Sequence, residues 1–411
     1  MGEIATEGTT QTPKRCAKCG ACAVVCPVFR ASGNEIYSAR GKRHLAEVFE
    51  GEKATPVFED IYSKCLLCGA CAQVCPQHLD ITEDVMAARS EFSPFYGEHG
   101  YQKYLARKAL GRPELLGVAR VFAKPAADVL LDRLPTASGL RLRLALFART
   151  DREEEVSEGM GAGTRPDPSA APVTYFPGCA ARYLYHDIVD SIGAILGRFG
   201  RKLEIPRGLG CCGLATMASG KRADALAMAR KNIAALEPGD GPILVSCGSC
   251  YAQLAHYQEL FKNDLDWQAR AQRVSERVVE ISVYLESLLA QEEPAADERT
   301  TPLRVFYHDP CHMRHEAGIT AEPRTVLSRL SSVELVELPD GPQCCGQGGL
   351  FHVGAPELSA KIRDDLAGKI LALNPDVITT TCSGCLMQLK SAMAAADSDV
   401  PVVHLGVLVN R

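Results

Sequence analysis

The chain has 411 residues, room for two or three domains, and its net charge of −5 carries no basic footprint for a nucleic acid. No run of eighteen apolar residues is present to suggest a membrane span, and residues 1–15 lack the apolar segment of a secretory leader. Eighteen cysteines without a sign of export point to metal ligation in a reducing compartment rather than to disulfides.

In chain order, residues 1–15 read as a loose polar arm. Cys16, Cys19, Cys22 and Cys26, closed by Pro27, then spell C-x2-C-x2-C-x3-C-P, and Cys65, Cys68, Cys71 and Cys75, closed by Pro76, repeat it at the same spacing. This is the bacterial ferredoxin run, in which three close thiolates hold one 4Fe-4S cluster and the fourth reaches the cluster of the other array. The expected ligand sets are therefore Cys16, Cys19, Cys22 and Cys75 for one cluster, and Cys65, Cys68, Cys71 and Cys26 for the second. A pair of four-cysteine zinc sites is the competing reading, but zinc sites usually set two C-x2-4-C pairs apart by a loop.

Between the arrays, Leu45, Val48 and Phe49 recur at helical spacing, which predicts a helical insertion. Arg40, Lys42 and Arg43 on it read more readily as a solvated face than as partners of an anionic cluster. Residues 101–149 are net basic and predict amphipathic helices broken at Pro113, Pro125 and Pro135. Such a stretch suits a linker packed on a neighbour more often than one lying on an anionic membrane surface. Residues 151–172 form a Gly/Pro/Ala-rich linker, in which Gly159-Met-Gly-Ala-Gly follows no strand and is no dinucleotide fingerprint.

From residue 171, short apolar runs at 173–176, 243–246, 303–307, 333–338 and 377–381 predict strands. Helical patterns at 188–199, 223–235, 274–289 and 358–371 alternate with them, which argues for α/β units with parallel sheets joined near residues 291–301. The cysteines mark this half as an internal repeat. Cys179, Cys211, Cys212, Cys247 and Cys250 recur roughly 130 residues later as Cys311, Cys344, Cys345, Cys382 and Cys385. Five thiols exceed what one zinc or one cubane takes, so the spacing asks for a multi-iron site; a zinc site with a spare thiol or a redox dithiol at each C-x2-C is the alternative. Four, four, five and five use all eighteen cysteines.

The pattern C-x31-C-C-G-x33-C-x2-C followed by a second copy resembles the cysteine-rich CCG domains of heterodisulfide reductase subunits. A double ferredoxin module ahead of two such domains is similar to the iron-sulfur subunits of glycolate oxidase, lactate dehydrogenase and anaerobic glycerol-3-phosphate dehydrogenase. Ala39-Arg-Gly-Lys-Arg with Val48-Phe-Glu-Gly, and Leu338-Pro-Asp running to Cys344-Cys345-Gly346, look like the glycolate oxidase branch. Some members of that branch keep one cysteine of each C-x2-C pair, whereas Cys247/Cys250 and Cys382/Cys385 are complete here. In heterodisulfide reductases the complete set is associated with non-cubane 4Fe-4S clusters.

The expected architecture is α+β and multidomain: a mainly helical module with two 4Fe-4S clusters at 1–95, a basic helical segment at 96–170, and parallel-sheet CCG domains at 171–295 and 300–411. The resemblance implies an iron-sulfur electron-transfer subunit of a flavin-linked glycolate or lactate dehydrogenase. It would take electrons from a partner FAD subunit to a quinone or other acceptor, with no flavin of its own and no catalytic residue identified. One further cluster per CCG domain is implied, a non-cubane form being one option. Alternatives are a disulfide reductase whose two five-cysteine sites face each other across a substrate, an anaerobic glycerol-3-phosphate dehydrogenase subunit, and a zinc-bearing scaffold. The expected location is cytoplasmic, with peripheral attachment to the cytoplasmic face of the inner membrane left open. His308 and His312 flank Cys311, and His78 follows Pro76; each is placed to tune a cluster by a hydrogen bond, though a structural histidine is the commoner outcome. Arg182 and Arg314 hold equivalent places after Cys179 and Cys311 and could offset cluster charge.

Overall fold

A computed structural model describes residues 16–48, 55–135, 138–147, 172–291 and 301–410. The polar arm, the residue 151–171 part of the linker, Phe49 and most of the 291–301 junction lie outside them. Two four-stranded parallel sheets organise the second half. Strands β1 (Pro172–Phe176), β2 (Lys202–Glu204), β3 (Ile243–Val245) and β4 (Val278–Glu280) are ordered β2-β1-β3-β4. Strands β5 (Leu303–Tyr307), β6 (Val333–Val336), β7 (Val377–Thr380) and β8 (Val402–His404) repeat that order as β6-β5-β7-β8. The central strands β3 and β7 are buried along their whole length. That is why they read as unbroken apolar or β-branched runs.

Helices cover both sheets because each offers one apolar face. On His186–Arg198, Ile188, Ile192, Ile195 and Leu196 fall at helical spacing and are fully buried. Burial of each such side chain contributes about 1.5–3 kcal/mol, so this one face is a substantial part of the first domain's stability. Two predicted elements need correction. The helix expected over 274–289 is interrupted by β4, which separates Leu265–Ser275 from Ile281–Leu289. Pro125 lies inside a continuous helix, Glu114–Leu130, instead of breaking it.

The N-terminal module is mainly helical and is fastened to both sheets' domains. Arg89, 5% exposed, donates to the carbonyls of Tyr62 (3.1 Å), Ser63 (2.9 Å) and Cys65 (2.8 Å), and to Ala218 of the first repeat (2.7 Å). Gly220, at φ +75°, lets that repeat approach so closely that a Cβ there would stand 2.2 Å from the Arg89 carbonyl carbon. On the other side Val28, Leu66, Phe351, Ala355 and Ile362 form one buried cluster shared with the second repeat.

Candidate metal centres

The two N-terminal arrays fold alike because their residues impose the same turns. Lys18 and Leu67 take φ of 54° and 55°, and Gly20 and Gly69 take 85° and 77° before one-turn helices Ala21–Val24 and Ala70–Gln73, which pack on each other. The left-handed glycine lets the backbone wrap around a centre and turn its N–H groups inward. Cys26 and Cys75 also match: Phe29 N–H donates to the Cys26 sulfur (3.5 Å) and Leu79 N–H to the Cys75 sulfur (3.4 Å). Cys16 and Cys22 are half-buried and Cys19 is exposed, so this array lies nearer the surface.

The four cysteines assigned to the second cluster, Cys65, Cys68, Cys71 and Cys26, line one cavity, partly open to solvent, with Lys42 at its wall. Lys42 is 1% exposed and donates to the carbonyls of Tyr37 and Lys64, which corrects the expectation of a solvated face. Burial pushes its ammonium down, against the pull of Cys65 and Cys26. Arg40, half-buried, pairs with Glu35, and Arg43 pairs with Asp84 at 2.5 Å.

In the repeats, topology places the thiols. Neighbouring strands β1 and β3 carry their following loops to the same end of the sheet, where the strand order reverses; Cys179 follows β1 and Cys247 follows β3. Cys311 and Cys382 do the same after β5 and β7. The thiols of Cys179, Cys211, Cys212, Cys250 and Cys247 lie close enough to interact in one set, and those of Cys311, Cys344, Cys345, Cys385 and Cys382 in the other. The Cys345 and Cys385 sulfurs are 3.6 Å apart. Cys179 and Cys212 hold Cys211 well below the usual thiol range by hydrogen bonding to it, as Cys311 and Cys345 do for Cys344. Their donors, Cys179 and Cys311, are pushed well up.

These donor sets suit iron-sulfur clusters. Crowded, buried thiols suppress one another's ionisation, and bound cations remove that penalty by turning them into thiolate ligands. The sites also adjoin one another. The Cys247 and Cys382 sulfurs, one from each repeat, are 3.9 Å apart and buried. Cys68 is pushed up by burial and then by the neighbouring Cys344, and Cys26, Cys68 and Cys344 border the shared apolar cluster of module and second repeat.

Arg182 and Arg314 donate to the carbonyls of Leu209 (3.4 Å) and Pro342 (2.6 Å), each two residues before the adjacent cysteines, so both brace the same loop. His312 lies 3.9 Å from the Cys311 sulfur, whereas His78 is exposed. His308 is buried, with a ring nitrogen within 4.8 Å of the Cys345 and Cys385 sulfurs. Sequence reasoning missed Ser249, whose hydroxyl is 3.4 Å from the Cys382 sulfur, and the matched pairs Tyr175–Ser246 (2.5 Å) and Tyr307–Thr381 (3.1 Å) beneath the two sites. Aligning the repeats would have exposed the tyrosines, which stand four residues before Cys179 and Cys311. No helix among the described residues is long and apolar enough to cross a membrane.

Comparison with known proteins agrees with this geometry. Residues 12–79 match a 4Fe-4S dicluster domain, and residues 173–255 and 305–390 each match the CCG cysteine-rich domain. Lactate utilization protein A of Geobacillus kaustophilus is 29% identical over 238 residues, 58% of this chain and 98% of that protein. Lactate utilization protein A of Bacillus velezensis is 28% identical over the same shares. About two fifths of this chain thus have no counterpart in those relatives. A crystal structure of a hypothetical protein from Helicobacter pylori shares 10% identity at a TM-score of 0.49, covering 89% of this chain and 65% of its own. The chain thus carries a 4Fe-4S dicluster domain followed by two CCG cysteine-rich domains, the make-up of an iron-sulfur protein, and is similar to lactate utilization protein A.

Proposed function

We propose that the chain is the electron-transfer subunit of a flavin-linked 2-hydroxyacid dehydrogenase, with lactate favoured over glycolate as the acid. A partner FAD subunit would oxidise the hydroxyacid to the 2-oxoacid, taking two electrons and two protons. This chain would pass the electrons on singly to a quinone or other acceptor. The names of the relatives support lactate. Two 4Fe-4S clusters would be held by Cys16, Cys19, Cys22 and Cys75, and by Cys65, Cys68, Cys71 and Cys26. One more would sit in each repeat, on Cys179, Cys211, Cys212, Cys247 and Cys250, and on Cys311, Cys344, Cys345, Cys382 and Cys385.

The observation that carries this reading is the unbroken succession of thiols. It runs from the first array to the second, across Cys68 and Cys344 to the second repeat, and across Cys382 and Cys247 to the first. Centres in such succession suit single-electron steps. The complete C-x2-C pairs favour a disulfide reductase as the rival. Against it weighs the similarity to lactate utilization proteins.

The test is anaerobic purification from the native host followed by addition of lactate. An FAD protein at equal stoichiometry and lactate-dependent bleaching of the cluster absorbance are expected. Turnover of a disulfide by this chain alone, with reduced dye and no flavoprotein, would replace the reading with its rival.

A further inference from the structure

The two repeats share a fold and a cysteine pattern, yet one position beside the thiols differs in chemistry. Tyr175 and Tyr307 hold equivalent places, four residues before Cys179 and Cys311, each hydrogen-bonded to the hydroxyl residue before the C-x2-C pair, Ser246 or Thr381. The next residue, three before Cys179 or Cys311, is Phe176 in the first repeat and His308 in the second. Both are buried, Phe176 at 0% and His308 at 3% exposure. A Cβ built on Gly178 would lie 2.9 Å from the Cys250 sulfur and 3.9 Å from the Phe176 ring, so that ring borders the Cys250 side of its site. His308 stands correspondingly beside Cys385, with a ring nitrogen and the Cys345 and Cys385 sulfurs all within 4.8 Å of one another.

Three donor atoms at that mutual separation can share one metal ion, because metal–sulfur bonds near 2.3 Å and metal–nitrogen bonds near 2.0 Å place tetrahedral donors roughly 3.5–4 Å apart. The His308 backbone is fixed for the purpose: its N–H donates to Thr379 (2.8 Å) and its carbonyl accepts from the Thr380 hydroxyl (3.0 Å). Cys382, meanwhile, leans toward the first repeat, 3.9 Å from Cys247 and 3.4 Å from the Ser249 hydroxyl.

We propose that His308 is an iron ligand of the second repeat's cluster, a nitrogen donor for which the first repeat has no equivalent. The inference rests on the reading that this site holds an iron-sulfur cluster. With Cys382 drawn toward the first repeat, His308 takes the place of that thiolate in the ligand set, and neutral imidazole in place of thiolate raises a cluster's potential. The second repeat would then hold an electron more readily than the first, despite their shared cysteine pattern.

The experiment is pulsed EPR of the anaerobic, cluster-loaded full chain, with ordinary and with 15N-labelled histidine, alongside metal analysis. Expected is a strongly coupled nitrogen that changes with the label, is lost in His308→Phe and persists in His312→Gln. The His308→Phe variant copies the residue the first repeat tolerates, and its second site should shift to lower potential with the first unchanged. A fully loaded chain without a label-sensitive coupling, or one whose coupling survives His308→Phe, overturns the proposal. Should His308→Phe fail to fold, the labelled wild type and His312→Gln decide: coupling kept in the latter supports the assignment, and coupling lost there overturns it. A second repeat without iron would defeat the cluster assignment itself, which metal analysis separates from iron present without nitrogen. Failure with lactate alone leaves this measurement standing, since it needs neither substrate nor partner.

Discussion

The two CCG repeats differ less in what they are built from than in what they touch. Both run strand, thiol, adjacent thiol pair and C-x2-C through the same sheet order, and the same tyrosine–hydroxyl pair lies under each site. The second repeat, however, shares an apolar cluster with the N-terminal module and brings Cys344 beside Cys68, while the first meets that module through Arg89 and Ala218. Duplication therefore gave two similar sites with different neighbours: the second repeat's thiols meet the second array at Cys68, and the first repeat's thiols meet their twin's at Cys247 and Cys382. On the proposed succession of single-electron steps, that difference would make the second repeat an intermediate and the first a terminus.

The largest effect should come from removing thiols on one side only. Cys345→Ser should abolish reduction of the first repeat from the module side, whereas Cys211→Ser should leave the second repeat reducible; freeze-quench EPR reads both. Equal losses in the two variants would erase the distinction. Next, Arg89→Ala removes charged hydrogen bonds to four carbonyls, three of them at residues 62–65 where the chain enters the second array. It should cost about 3 kcal/mol in anaerobic denaturation and loosen the module from the first repeat. Gly220→Ala forces a Cβ against the Arg89 backbone and should cost about 2 kcal/mol, through the same interface.

A smaller effect concerns Glu280, which caps the helix after β4 from a fully buried position and whose carboxyl is pushed up to about 7 by burial, against its hydrogen bonds to Ser282. A folded-state value above the unfolded 4.5 means the native protein binds the extra proton, so stability is lost as pH rises from about 4.5 through about 7. The stability of Glu280→Gln relative to wild type should accordingly climb across that window and then level off. A difference independent of pH would remove the buried carboxyl from the balance.

Much of this was legible in the sequence because cysteine spacing is discrete and survives any error in element boundaries. The five strands read from apolar runs are present, since β1, β3, β5, β6 and β7 carry their own burial signal. The three not foreseen, β2, β4 and β8, are three residues each and lie at sheet edges, where one neighbouring strand pairs with each of them. Lys42 was misread for a related reason: its charge looks solvated until Tyr37 and Lys64, distant from each other in sequence, supply carbonyls for it. Which repeat brings its thiols to the second array depends on packing between Leu66 and Phe351, and no local pattern encodes that.

The most direct measurement is EPR of the fully reduced, cluster-loaded chain. Magnetic interaction between the cluster on Cys65, Cys68, Cys71 and Cys26 and the one in the second repeat should split their signals, and Cys345→Ser should remove that splitting while the interaction between the two N-terminal clusters remains. Independent, unsplit signals in the wild type would contradict the proposed succession of centres.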